Sequence, residues 1–139
     1  MNGKRVWLYC RVASRENSVE LLAVQKQILE DYAKEHGLEI VGCSSDVGSG
    51  LTMNRPGLME FHAAMEGGEV DILLLAKLSR LGRDLEEVLQ YWRLLQKHHI
   101  HLYTATEGEI YLDMQSLFTE MFRYNFSASF RHKHSSKKL

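Results

Sequence analysis

A chain of 139 residues has the length of one domain, on a prior of roughly 100–200 residues per domain. Its 45% hydrophobic residues can fill a single core and its 25% charged residues can cover it, which excludes a disordered or membrane-embedded chain. A net charge of -1 excludes binding of polyanions through a general positive field, so any contact with nucleic acid must come from a local cluster of arginines.

Val6 to Val12 is a short apolar run with β-branched and aromatic residues, bounded by charge, and reads as a strand. Leu21, Val24, Ile28, Leu29, Tyr32 and Ala33 recur at spacings of three and four and predict a helix with these residues on its apolar face. Gly37 stands where a left-handed helix cap is expected. Leu38 to Cys43 predicts a second strand, and Asp46 to Arg55, with two glycines and no apolar period, predicts a loop. Pro56 suits the first turn of a helix that continues through Leu58, Met59, Phe61, His62 and Met65 and stops at Gly67-Gly68.

Ile72 to Ala76 is continuously apolar, as a strand buried on both faces of a parallel sheet must be. An arginine-rich turn follows, and then Leu85, Val88, Leu89, Trp92 and Leu95 mark another amphipathic helix; its opening acids Asp84, Glu86 and Glu87 suit the helix dipole. Ile100 to Thr104 is a fourth strand. Asp113 is placed to cap a last helix bearing Met114, Leu117, Phe118, Met121, Phe122, Tyr124, Phe126 and Phe130, too many apolar residues for one face. Strand and helix alternate, so the expected fold is α/β: an open, mainly parallel sheet with helices on both faces. The expected organisation is one domain over residues 1–130, with the basic stretch 131–139 as a tail or the start of a connection to a DNA-binding region.

Cys10 and Cys43 form no CxxC pair and read as buried thiols of a reducing compartment. No apolar run approaches the roughly 18 residues that span a bilayer and no charged leader opens the chain, so the expectation is a cytoplasmic protein without membrane contact. The histidines, including His98, His99 and His101, lack partners at zinc-like spacing, so no metal site is expected.

In open α/β sheets ligands gather beyond the carboxyl ends of the strands. Arg11 ends the first strand, Arg55 lies after the second, and Arg80 and Arg83 flank Gly82 after the third. Guanidinium groups fork onto phosphate oxygens and do not deprotonate, which suits a phosphodiester and its transition-state charge. Each arginine taken alone fits a solvated surface charge equally well.

Three segments carry more. Tyr9-Cys10-Arg11, Arg55-Pro56-Gly57 and Lys77 to Asp84 occur in the order and at the intervals found in serine site-specific recombinases, and roughly residues 4–130 resemble the catalytic domain of that resolvase and invertase family. The Lys-Leu-Ser-Arg-Leu-Gly-Arg-Asp segment is the specific one, differing at Ser79, where the family has aspartate. The resemblance implies that Arg11, Arg55, Arg80 and Arg83 hold the scissile DNA phosphate, with Tyr9 and Gln25 matching family positions in the same site. It implies a serine that attacks to give a 5′-phosphoserine link, conserving bond energy without metal or nucleotide cofactor. It also implies a last helix, here 114–130, that builds a homodimer and a tetramer during exchange.

The family's serine position holds Ala13, and Ser14 follows it. The family's glutamate on the last helix falls within 126–130, which contain none. Two readings follow: a recombinase whose nucleophile is Ser14, or a catalytically inactive module that binds DNA or recombinase subunits and regulates them. A receiver domain of two-component signalling shares the architecture but needs acids where Arg11 and Lys77 stand. Nucleotide hydrolysis needs a GxxxxGK[ST] loop that the chain lacks.

Overall fold

The apolar runs become the strands of one five-stranded sheet in the order β2-β1-β3-β4-β5. The computed structural model describes residues 3–48 and 55–112. β1 is Arg5–Val12, α1 Ser18–Glu35, β2 Glu39–Val47, α2 Pro56–Glu66, β3 Ile72–Leu75, α3 Leu85–Lys97, β4 His101–Thr104 and β5 Gly108–Glu109, with a 3-10 turn at Leu78–Arg80 before α3. β1 to β4 run parallel and only β5 is antiparallel, so the expected mainly parallel sheet is the sheet observed.

Strand alternation divides the core into two layers. Val6, Leu8 and Cys10 of β1 point to one face and pack with Leu29, Ala33, Ile72 and Leu74 beneath α1. Tyr9, on the opposite face, packs with Leu58, Phe61, Leu73, Leu75, Val88 and Trp92 beneath α2 and α3. Helices therefore cover both faces. The same alternation carries Tyr9 and Arg11 towards the α2 side, which matters for the site below.

Several local expectations hold. Gly37 has φ +66° after the last turn of α1, and the Leu38 amide donates back to the Ala33 carbonyl at 2.9 Å, closing the helix end as a left-handed cap does. Pro56 opens α2. The carboxylate of Asp84 accepts the Glu86 amide at 3.0 Å and caps α3.

Three expectations are corrected. β2 does not stop at Cys43 but runs to Val47, so the first two residues of the predicted loop, Asp46 and Val47, are strand. Its inward residues there, Ser44 and Asp46, are polar but paired: the Trp7 indole donates to Ser44 Oγ at 2.9 Å, and Ser44 donates to the Gly57 carbonyl at 2.7 Å. A buried face made of satisfied polar groups carries no apolar period. On α1 the buried stripe is Gln25, Leu29 and Ala33, while Leu21, Val24 and Ile28 remain 49%, 59% and 44% exposed. Leu85 and Met59 are likewise exposed, and Tyr91 takes the core position on α3. Cys43 is half-buried rather than buried. Asp113 and the predicted helix 114–130 lie outside the described residues, as does the stretch 131–139. Among the described residues no helix is long and apolar enough to cross a membrane.

Gly57 permits the tight approach of α2 to β2. A Cβ there would lie 2.5 Å from the Ser45 carbonyl oxygen and 2.7 Å from Asp46 Oδ2, neither of which can swing away on a flexible stem. Gly57→Ala should therefore destabilise the domain by about 1–3 kcal/mol, the usual range for overpacking. Thermal unfolding of the two proteins would show it, and an unchanged midpoint would mean the helix start moves freely.

Candidate functional site

β1 outlasts its neighbour. Its ladder with β3 covers only Val6, Trp7 and Leu8, so the β3-facing backbone groups further along have no strand opposite them. Gln25 fills that role at Arg11: the Arg11 amide donates to Gln25 Oε1 at 3.0 Å, and Gln25 Nε2 donates to the Arg11 carbonyl at 3.0 Å. A primary amide has one donor edge and one acceptor edge, which is what a strand offers at each paired position. Gln25 thus fixes the backbone that carries Arg11 and is occupied in doing so.

The Arg11 side chain is only 3% exposed, and its donors go to backbone carbonyls. Nε bonds to the Arg80 oxygen at 2.9 Å and Nη2 to the Ser79 oxygen at 3.0 Å, while Nη1 bonds to the Gly48 carbonyl. Arg55, the residue before α2 and 6% exposed, makes a parallel arrangement. Its Nη1 donates to the Tyr9 hydroxyl at 2.9 Å and to the Arg80 carbonyl at 3.4 Å, and its Nη2 donates to the Leu81 carbonyl. Two guanidinium groups therefore clamp three successive carbonyls, those of Ser79, Arg80 and Leu81, and shape the turn that follows β3.

Asp46 completes the arrangement, and sequence reasoning missed it. Its carboxylate accepts the Tyr9 hydroxyl at 2.7 Å and the amides of Gly57 and Leu58 at 2.8 and 3.1 Å. An anion at the start of α2 satisfies amides that no helix turn can, and it suits the helix dipole. Burial and the bond to Asp46 push the Tyr9 phenol well above its ordinary range, although Arg55 opposes this, so Tyr9 stays a neutral hydroxyl that relays between anion and cation. The only signal in the sequence was an acid eleven residues before Gly57, at a position that looked like loop.

Arg80 and Arg83 complete the cluster. Burial lowers the Arg11 pKa most, and Arg55, Arg80 and Arg83 each lower it further by like charge, so the other three guanidinium groups all lie close enough to act on Arg11. Arg83 is exposed and Arg80 half-buried; Arg80 Nε is buried and finds no hydrogen-bond partner among the described residues. The structure thus brings the four predicted arginines to one sheet edge but divides them. Arg11 and Arg55 face inward to the turn, and Arg80 and Arg83 stand on its outer side. Tyr9 is fully buried and reaches the edge only through Arg55.

β1 ends at Val12, so Ala13 and Ser14 lie beyond strand alternation and both are exposed. They line a cleft of about 560 Å³ together with Lys77, Arg80, Gln25 and the exposed face of α1. No group of three or more potential metal ligands occurs among the described residues.

The carboxyl edge of this mainly parallel sheet thus carries the four arginines and, just past the end of β1, the loop that bears Ser14. The model of the Resolvase N-terminal domain family matches residues 6–138, and the chain belongs to that family. Solved structures agree with it. The N-terminal catalytic domain of TP901-1 integrase is 25% identical with a TM-score of 0.68, over 93% of this chain and 100% of that one. A resolvase family site-specific recombinase from Streptococcus pneumoniae is 27% identical with a TM-score of 0.65, over 91% and 93%. The C-terminal catalytic domain of ISC1926 TnpA, an IS607-like serine recombinase, is 26% identical with a TM-score of 0.65, over 96% and 89%.

The division of the arginines is testable through stability. Arg11→Ala and Arg55→Ala remove buried charged donors and leave carbonyls unpaired, so each should cost about 2–3 kcal/mol. Arg80→Ala and Arg83→Ala should each stay within about 1 kcal/mol of the parent. Denaturant titration of the four variants measures this, and equal losses at all four positions would refute the inner and outer division.

Proposed function

We propose that this domain binds the phosphodiester backbone of DNA at the arginine cluster and exchanges strands through Ser14. The observation that carries this reading is the gathering of three like-charged guanidinium groups around Arg11 beside a cleft that Ser14 lines. An anion placed among them relieves their repulsion and meets donors that never lose their protons. Arg80 and Arg83 supply the first contacts, and Arg11 and Arg55 stabilise the transition-state charge. Tyr9, Gln25 and Asp46 act by holding those two in place.

The reaction follows from the donor set. The Ser14 hydroxyl oxygen forms a bond to phosphorus as the bond to the 3′ oxygen breaks. The proton lost by Ser14 is balanced by the one the 3′ oxygen takes up, and the 5′ phosphate remains on the serine. A new 3′ hydroxyl then reverses these steps and rejoins the strands. One phosphodiester is exchanged for another, so the balance calls for no nucleotide cofactor. Ala13 has no hydroxyl and cannot form the link; positioning alone leaves about 10³–10⁴ of rate enhancement in a hydrolase stripped of its nucleophile, and that residue of activity would hydrolyse rather than exchange. In this reading the partners are DNA and further copies of the chain in the cytoplasm, joined through residues 114–130 as the family's helix is.

Full-length protein incubated with duplex DNA from the borders of its own gene should give a covalent protein–DNA adduct on a denaturing gel. Ser14→Ala should abolish it, and Arg80→Ala and Arg83→Ala should weaken binding of the same duplex at least tenfold. Binding without any adduct in the parent would replace the enzyme with the inactive regulatory module, and an adduct that survives Ser14→Ala would exclude Ser14.

Self-association has its own test. Sedimentation at tens of micromolar should show a dimer or larger species, shifted towards monomer by Leu117→Asp or Met121→Asp, since an unpaired charge in an apolar interface is strongly penalised. A monomeric parent at that concentration would sink the idea.

A further inference from the structure

Cys10 and Cys43 take no part in the arginine site, yet the sheet brings them together. The ladder of β1 and β2 sets Leu8 opposite Cys43 and Cys10 opposite Ser45, so the two cysteines are diagonal neighbours. Both point to the α1 face: Cys10 belongs to the core cluster there, and Cys43 packs against the same cluster from its edge. They are near enough for each thiol to shift the other's titration. Their surroundings differ, since Cys10 is 1% exposed and Cys43 is only half-buried.

The two thiols differ. The neighbouring Cys43 thiol and then burial both favour the neutral form of Cys10. Cys43 is shifted the other way: the neighbouring Cys10 thiol lowers its pKa most, and Lys26 on α1 adds to this against burial and the opposing charges of Glu30 and Glu60. A thiolate that is reachable and supported by a donor is the reactive form of cysteine.

We propose that Cys43 and Cys10 form a peroxide-reactive couple, in which the accessible Cys43 is oxidised first and the buried Cys10 resolves it. The Cys43 sulfur attacks the O–O bond of a hydroperoxide, forming Cys43 sulfenic acid and releasing the alcohol, or water where the oxidant is hydrogen peroxide. The Cys10 sulfur then attacks the Cys43 sulfur, its proton leaves with the departing hydroxide as water, and a disulfide forms. In total two thiols lose two electrons and two protons, and the peroxide takes them up.

Closing this bond requires strand movement. Diagonal α-carbons in a flat sheet lie about 7–8 Å apart, at or past the roughly 7 Å limit for an unstrained disulfide. β2 is the strand that can yield, because it is an outer strand of the sheet and its register against β1 already slips between Val6 and Trp7. A disulfide closed against such geometry is readily reduced again, so the couple is reversible. It sits one residue from Arg11, on the strand that carries it.

The test treats the protein with a near-stoichiometric amount of hydrogen peroxide, followed by non-reducing peptide mapping and mass measurement. The parent should yield one peptide pair linking Cys10 and Cys43 within a single chain, lost on adding dithiothreitol. Cys10→Ser should stop at Cys43 sulfenic acid, captured by dimedone, and Cys43→Ser should leave Cys10 as a free thiol after the same treatment. The serine replacements are checked for folding by thermal unfolding, and Cys10→Ala and Cys43→Ala provide the second set. Two alkylatable thiols remaining in the treated parent would overturn the proposal. So would a link found only between two chains, or oxidation of Cys10 at an equal rate in Cys43→Ser.

Discussion

Everything at this sheet edge depends on two buried guanidinium groups holding three backbone carbonyls. Burying a cation is costly unless its donors are met. Arg11 and Arg55 meet that cost with the carbonyls of Ser79, Arg80 and Leu81, and those carbonyls in turn belong to a tight turn that cannot pair them within a sheet or long helix. Each side solves the other's problem. The turn would lose its shape without the arginines, and the arginines would stay hydrated without the turn. The outward position of Arg80 and Arg83 is a consequence, because the backbone that carries Arg80 is itself the acceptor for the inner pair.

The placement of that clamp goes back to unequal strand lengths. β1 has eight residues and β3 has four, so β1 projects past its neighbour and leaves a gap in the ladder. Gln25 closes the gap at Arg11 with side-chain amide groups. Asp46 performs a similar service on the other side, where it satisfies the first amides of α2 and anchors the Tyr9 hydroxyl that supports Arg55. Gly57 lets the helix come close enough for this. The carboxylate and the primary amide are buried here because each replaces a missing backbone partner, and the phenol because it joins that carboxylate to Arg55.

That substitution also explains what the sequence could and could not reveal. Strands β1, β3 and β4 were legible because burial on both faces demands continuous apolar runs. The start of α2 was legible in Pro56, and the four arginines in their regular position after strands. Asp46 and Ser44 were not, because their polarity reads as loop when their partners are unknown. The apolar stripe of α1 misled for a related reason. Its buried face is given to Gln25, a residue that serves the site, so Leu21, Val24 and Ile28 are turned outward onto the cleft that Ser14 lines. The adjacency of Cys43 to Cys10 escaped notice because pairing of diagonal residues depends on strand order, which periodicity does not contain. Sequence patterns report burial of apolar groups; they are silent where burial is achieved by polar groups satisfying one another.

The inner clamp also constrains how an anion can enter. Arg83 is exposed and Arg80 half-buried with its Nε unpaired among the described residues, whereas Arg11 and Arg55 present donors already committed to carbonyls. A phosphate oxygen that bonds to either inner guanidinium therefore competes with the backbone of 79–81. A phosphate is the stronger acceptor because it is charged, so it can win that competition only by freeing carbonyls that must find water or new donors. Deep binding is thereby coupled to movement of the turn, and the turn leads directly into α3 through its cap at Asp84. On the proposed reading, contact by the outer arginines leaves the turn in place while contact by the inner pair requires it to shift, so the two residues that stabilise the free domain would set a threshold that the charge of a phosphorane-like transition state is better suited than a ground-state diester to cross.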